Sequence, residues 1–164
     1  MRLKRFLKRR RNKIMVTIEE IKALREETGL SIMQCQKALE EANGDKSKAV
    51  AILKERGAEI AAKKGDRTLG AGIVASYIHT GETVGVLVEL LSETDFVAKN
   101  PEFKSVARDI AMHIAAMKPA DKEELLEQPF IKDPGQKISD IINSTTQKFG
   151  ERVEVGHFVR FSVN

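Results

Sequence analysis

The stretch IVASYIHTGETVGVLVELLSETDFVAKNPEFKSVARDIAMHIAAM, Ile73–Met117, changes its hydrophobic period partway along. In its first half apolar residues alternate. Val74, Ser76 and Ile78 run along one strand, and Val84, Val86, Val88 and Leu90 along a second, with Leu87 and Leu91 on the other face. Thr80-Gly81-Glu82 between them reads as a hairpin turn. In the second half the spacing becomes three and four: Phe103, Val106, Ala107, Ile110, Ala111 and Ile114. That is the apolar stripe of an amphipathic helix. Asn100 is placed to cap it, and Pro101 suits its first position. A hairpin that leads directly into a long helix specifies an α+β core.

Downstream, Pro119 marks the end of that helix, and a short helix is expected over Lys122 to Leu126. Pro129 and Pro134 flank an expected loop. Ile138, Ile141 and Ile142 mark another helix, closed near Gly150, and Val153 to Val163 alternate as a last strand with Gly156 as a bulge. The core over residues 73–164 is therefore expected to hold a small antiparallel sheet of about three strands, packed by helices on one side.

Upstream, residues 15–57 read as three short helices. Thr17 with Glu20, and Ser31 with Gln34, each form a capping box. Gly29 ends the first helix, Asn43-Gly44 stops the second, Asp45 caps the third and Gly57 closes it. Cys35, Ala38, Leu39 and Ala42 share the second helix's apolar face. So small a unit suits docking better than catalysis. Residues 58–72 read as a linker, with an Ala-rich start that can prolong the third helix and a small, polar remainder.

Charge is unevenly placed. The chain carries 28 basic and 24 acidic residues, and eight of the basic ones lie in the first thirteen positions. Removing those leaves 20 against 24, so the body is net acidic by 4. This argues against nucleic acid as the main partner, except through the arm of residues 1–14, which is read as disordered. Three readings of the arm stay open: an upstream start ahead of Met15, a targeting peptide, or a solvated tail touching ribosome or RNA. The lone Cys35 suits a reducing compartment, a bacterial cytoplasm or an organellar stroma or matrix. No apolar run approaches the roughly 20 residues that cross a bilayer, so no membrane partner is expected.

The motifs of chemistry are missing. His79, His113 and His157 lack second ligands at metal-binding spacing, and no phosphate-cradling loop or nucleophile elbow occurs. No cofactor, metal or enzymatic activity is expected. One segment stands out instead, Ser92-Glu93-Thr94-Asp95-Phe96-Val97-Ala98-Lys99, between the second strand and the long helix. Two readings stay open. Phe96 tucks into its own core while Asp95 caps a turn, or Phe96 is an exposed wedge and Asp95 a charge aimed at a partner.

Glu93–Ala98, ETDFVA, resembles the signature of the elongation factor Ts family. LREETGLSIMQCQKALEEANGDKSKAVAILKERG (Leu24–Gly57) is similar to that family's N-terminal module. The hairpin SYIHTGETVGVLVEL, the segments DIAMHIAAMKP and QPFIKDPGQKISDIIN, and FVRFSV near the end are similar too. The likeness runs in order from Val16 to Val163. It implies a ubiquitin-associated-like three-helix module followed by an α+β core, in a short form with one core where long members carry two. It also implies guanine-nucleotide exchange on elongation factor Tu, bound with GDP or nucleotide-free, without an active site of its own. The residues matching the family's TDFV segment are Thr94, Asp95, Phe96 and Val97, which the resemblance places at the nucleotide site's edge, where they help displace Mg²⁺. Lys37, His79 and His113 are further candidate contacts, although His79 also reads as a solvent-exposed turn residue and His113 as packing on the long helix. Three pairs of residues depart from common family patterns: Gln34 and Gln36 replace an Asp and a Lys, Leu91-Ser92 an Asn-Cys, and Gly156-His157 an Arg pair. The first is expected to weaken the module's docking or alter its salt response. The rival reading is a ribosome or RNA adapter working through the basic arm.

Overall fold

The computed structural model describes residues 16–163, so the basic arm and the readings that rest on it lie outside the described residues. The described chain divides into two units, one ending at Leu53 and one spanning Lys54–Asn164.

In the first unit, α1 (Ile18–Thr28) starts at Thr17, whose side chain takes the Glu20 N–H while the Glu20 carboxylate takes the Thr17 N–H. It ends at Gly29, whose φ of 67° is left-handed. The second helix, α2 (Ile32–Glu41), is boxed the same way by Ser31 and Gln34. Asn43 and Gly44, both at positive φ, turn the chain tightly enough for Asp45 to cap α3 (Lys46–Lys63) through the Lys48 N–H. Leu24, Leu30, Cys35, Ala38, Leu39, Ala42, Ala49 and Leu53 form this unit's core. Cys35 is fully buried, as its helical position implied.

Gly57 does not close α3, contrary to its reading as a stop; the helix continues to Lys63, through the Ala-rich stretch expected to be able to prolong it. Its absent side chain serves packing. A Cβ there would lie 3.0 Å from Gln147 Oε1 and 3.5 Å from the Asn143 carbonyl oxygen. The helical propensity of Ala58–Ala62 then carries the helix on. Beyond α3 only residues 64–70 connect it to the first strand.

The second unit is α+β. Strands β1 (Ala71–Ile78), β2 (Val84–Ser92) and β5 (Glu154–Ser162) form an antiparallel sheet in the order β1-β2-β5. Its inner face presents Ala75, Val86, Val88, Leu90 and Val155 to the apolar stripe of α5 (Pro101–Met117). Asn100 caps α5 by accepting the Glu102 N–H, as its position predicted. The sheet's outer face leaves Val74, Ile78, Leu87, Val159 and Phe161 exposed. Gly156 sits in a bulge because a Cβ would fall 2.5 Å from Glu89 Oε2, and that carboxylate accepts the His157 N–H.

Two pieces differ from the sequence reading. The expected loop around Pro129 and Pro134 is a ribbon, β3 (Pro129–Phe130) paired with β4 (Asp133–Lys137), in which Phe130 is buried. The pairing is short enough for two residues without ordinary ladder freedom to sit in it. The other piece is α4 (Asp95–Ala98), a single turn inside the segment singled out above. The remaining elements are α6 (Lys122–Glu127) and α7 (Ile138–Phe149), the latter ended by Gly150 at φ 70°.

Candidate partner-binding site

Strand β2 delivers the chain to α4, and α4 ends just before the Asn100 cap of α5. Four residues make one turn, so α4 has room for two inward positions. Val97 and Ala98 take them and are 3% and 2% exposed. Asp95 and Phe96 are left outside. Phe96 is 82% exposed, the most exposed large apolar side chain among the described residues. The ring is not tucked into its own core, where the first reading of the segment placed it. Asp95 does not cap a turn either. Its carboxylate pairs with Lys99 at 3.1 Å, one helical turn on, and both side chains are largely exposed. The turn thus presents an aromatic ring beside an acid, on a base of two buried small apolar residues.

The start of the turn is tethered from far along the chain. Thr94 has the extended backbone of an N-cap, but its hydroxyl makes no cap hydrogen bond. It donates to Glu151 Oε1 at 2.6 Å, and the Thr94 N–H donates to Glu151 Oε2 at 3.0 Å. One residue earlier, the Glu93 carboxylate accepts the Arg152 N–H at 2.6 Å and faces the Arg67 guanidinium at 3.3 Å. The Arg152 N–H, then Arg67, hold the Glu93 carboxyl below the usual carboxylate range. Arg152 also donates to the Arg67 carbonyl and pairs with Glu154, which Lys122 reaches from the other side. The sequence reading named none of Glu93's partners, nor Glu151. They lie 26 to 59 residues away, and no local period marks them.

The three additional candidates separate. Lys37 is exposed on α2, four residues after exposed Met33 and five after exposed Ile32. His79 is exposed in the β1–β2 turn, and its Nδ1 shares a 3.1 Å hydrogen bond with the Tyr77 hydroxyl. His113 is different. It is fully buried on α5, so it has no surface to offer a partner. Its Nδ1 accepts the Ile131 N–H at 3.2 Å, which leaves Nε2 to donate to Gln128 Oε1 at 3.0 Å. Burial pushes its pKa down, against the opposing effect of Gln128. Its task is to hold the β3–β4 ribbon to α5. Among the described residues no group of acids, histidines and cysteines could hold a metal, and no helix is long and apolar enough to cross a membrane.

A family model described as elongation factor TS matches residues 16–121 and again 93–164. Both matched spans contain the α4 turn. The elongation factor Ts of Acetivibrio thermocellus is 41% identical over 192 aligned positions, covering 90% of this chain and 89% of the relative. That of Carboxydothermus hydrogenoformans is 41% identical over 194, covering 91% and 89%. That of Thermodesulfovibrio yellowstonii is 40% identical over 192, covering 90% and 96%. These alignments are longer than the 164-residue chain, so the relatives carry internal residues that it lacks.

Proposed function

The chain belongs to the elongation factor Ts family, and on that premise we propose that it accelerates release of GDP from elongation factor Tu by pressing the α4 turn into the margin of the partner's nucleotide site. The observation that carries this reading is the 82% exposure of Phe96 on a turn whose neighbours are buried or tethered. A single exposed apolar side chain is ordinary on a protein surface; what supports the reading is an aromatic ring on an anchored turn, the residue type and setting of an interface anchor.

The physics is linkage. A factor that weakens GDP binding must itself bind more tightly when GDP is absent, by the same factor. No bond chemistry is needed on the factor's side, only contacts that favour the empty partner. Phe96 supplies a wedge. Asp95 supplies a charge that competes with the groups arranged around the partner's Mg²⁺. When that ion is displaced, the diphosphate loses the charge that neutralised it, and GDP leaves faster. Thr94 and Val97 act from behind, one fixing the start of the turn and the other filling the core beneath it. The three-helix module docks on the GTPase domain through the α2 surface around Ile32, Met33 and Lys37. His79, at the far end of the β1–β2 hairpin, contacts the partner beside the core.

Stopped-flow release of a fluorescent GDP analogue from elongation factor Tu tests the reading. The wild-type chain is expected to speed release many-fold, and Phe96→Ala to lose at least about tenfold of that, as truncation of an interface anchor does. A wild-type chain that leaves release from an active partner unchanged rules the exchange role out.

A further inference from the structure

We infer that Glu151 is a positioning residue for exchange: its carboxylate, by holding both the N–H and the hydroxyl of Thr94, fixes the direction in which α4 presents Phe96. The inference rests on the exchange reading and adds a residue to it.

A four-residue helix cannot hold its own orientation. The Ala98 N–H reaches the Thr94 carbonyl at 3.2 Å, but the first N–H groups of a helix have no partner within it, and one turn of helix is unstable alone. The usual local remedy is an N-cap side chain, and Thr94 is of the right type. Its hydroxyl turns away from the helix to Glu151 instead, at 2.6 Å. Local capping is replaced by a tether to a residue 57 positions later. Two bonds to two atoms of one residue set an orientation as well as a distance. Both run to a carboxylate, so they are charge-assisted and stronger than neutral ones.

The tether is reciprocal. Residue 151 takes the backbone N–H of residue 94 with its side chain, and residue 93 takes the backbone N–H of residue 152 with its own. Two adjacent pairs therefore clasp each other, with Arg67 closing the far side through Glu93. Glu151 follows Gly150, whose left-handed backbone ends α7 and turns the chain toward α4. The end of α7 thus reports its position to Thr94. Only Asp95 lies between Thr94 and Phe96. A rotation released at Thr94 would reach the ring almost undiminished, while Val97 and Ala98 still anchored the turn's other end. The clasp gives preorganisation: the wedge does not have to be ordered when the partner arrives.

The test is a double-mutant cycle between Glu151→Ala and Phe96→Ala, read by release of the fluorescent GDP analogue over a range of factor concentrations. Glu151→Ala is expected to cut the maximal release rate by about tenfold or more, the loss expected for two charge-assisted bonds. The half-saturating concentration should move by less than about threefold, because the docking surfaces elsewhere are intact. In the Phe96→Ala background the same change should do almost nothing further, since a wedge that is absent cannot be misaimed. Hydrogen exchange at the Thr94 amide should speed up in Glu151→Ala and be largely restored in Glu151→Gln, which keeps one acceptor oxygen. Thr94→Val, which loses only the hydroxyl bond, should lower the maximal rate in the same direction by a smaller factor, even if Glu151→Ala folds poorly. Equal losses with and without Phe96, or an unchanged maximal rate in both Glu151→Ala and Thr94→Val, would overturn the inference while leaving the exchange role standing. A wild-type chain that fails to accelerate release overturns both.

Discussion

Phe96 and Phe103 lie seven residues apart and meet opposite fates. Phe103 is fully buried, its ring edge-on to Phe149 with centroids 6.1 Å apart, while Phe96 is 82% exposed. The residue type is the same and both sit on helices, so neither hydrophobicity nor local backbone separates them. What separates them is how many turns share the work of burial. On α5 the stripe continues through Ala107, Ile110, Ala111 and Ile114, and Phe103 is its first member. On α4 there is one turn, and Val97 and Ala98 fill its inward positions. The small residues take the core and the aromatic is displaced outward. A ring in the first setting stabilises the fold; a ring in the second is available to a partner.

Exchanging each ring for alanine breaks this comparison most sharply. Phe103→Ala should cost about 3–5 kcal/mol of folding stability, the range for emptying a buried aromatic site. Urea denaturation at fixed temperature measures it, and a loss below about 1 kcal/mol would mean that the sheet and α5 collapse into the space. Phe96→Ala should change stability by no more than about 0.5 kcal/mol, as surface substitutions do. On the proposed function its effect belongs to exchange and is read by stopped-flow release of the GDP analogue. A variant of Phe96 that melted like the Phe103 variant would erase the distinction between the two rings.

A second position on α5 sharpens the contrast within the core itself. His113 is as buried as Phe103 but titrates. Its folded-state pKa is depressed, so the unfolded chain binds the proton more readily than the folded one. The stability it contributes is fully present above the unfolded histidine value of about 6.5 and is lost as pH falls toward the folded one. Protonation would place a hydrogen on Nδ1 opposite the Ile131 N–H, two donors face to face. Thermal melts between pH 7.5 and 5.5 should therefore fall more steeply for wild type than for His113→Asn, which keeps polar atoms without a titrating ring. Parallel slopes would remove His113 as the source.

The helix ends were legible from sequence because caps are local. Thr17 with Glu20, Ser31 with Gln34, Asn100 with Pro101, and Gly150 each act within four residues, and each was found where its pattern put it. The hairpin and the Gly156 bulge were legible from alternation and its interruption. Gly57 was misread because a glycine that ends a helix and one that admits a neighbouring helix look the same in one dimension. The β3–β4 ribbon was missed because its prolines argue against strands. The site was half legible. Its segment stood out by composition, but four residues contain no period, so the inward and outward members could not be sorted. Of the readings open for His113, packing on the long helix is the one its burial supports, but nothing adjacent in sequence reveals that α5 turns it toward Gln128 and Ile131. Glu151 could not be found at all, since what matters about it is contact with a residue 57 positions away.

The smallest expected effect lies on the α4 turn beside Phe96. Asp95 and Lys99 form an ion pair one helical turn apart, with both side chains about three-quarters in water. Such pairs contribute about 0.5 kcal/mol or less, because water screens the attraction and ordering two side chains opposes it. Lys99→Ala should leave the denaturation midpoint almost unchanged. In exchange the pair has a different meaning. Lys99 holds Asp95 back along its own helix, so on the proposed function removing the amine would free the carboxylate to turn toward the partner's metal surroundings. The variant should therefore match or slightly exceed wild type, by less than about threefold at low salt, and converge with it as added salt screens the pair. Asp95→Asn, which removes the charge itself, should fall below both. If Lys99→Ala instead loses activity as Phe96→Ala does, the lysine is part of the contact, and the presented surface of α4 comprises Asp95, Phe96 and Lys99 together.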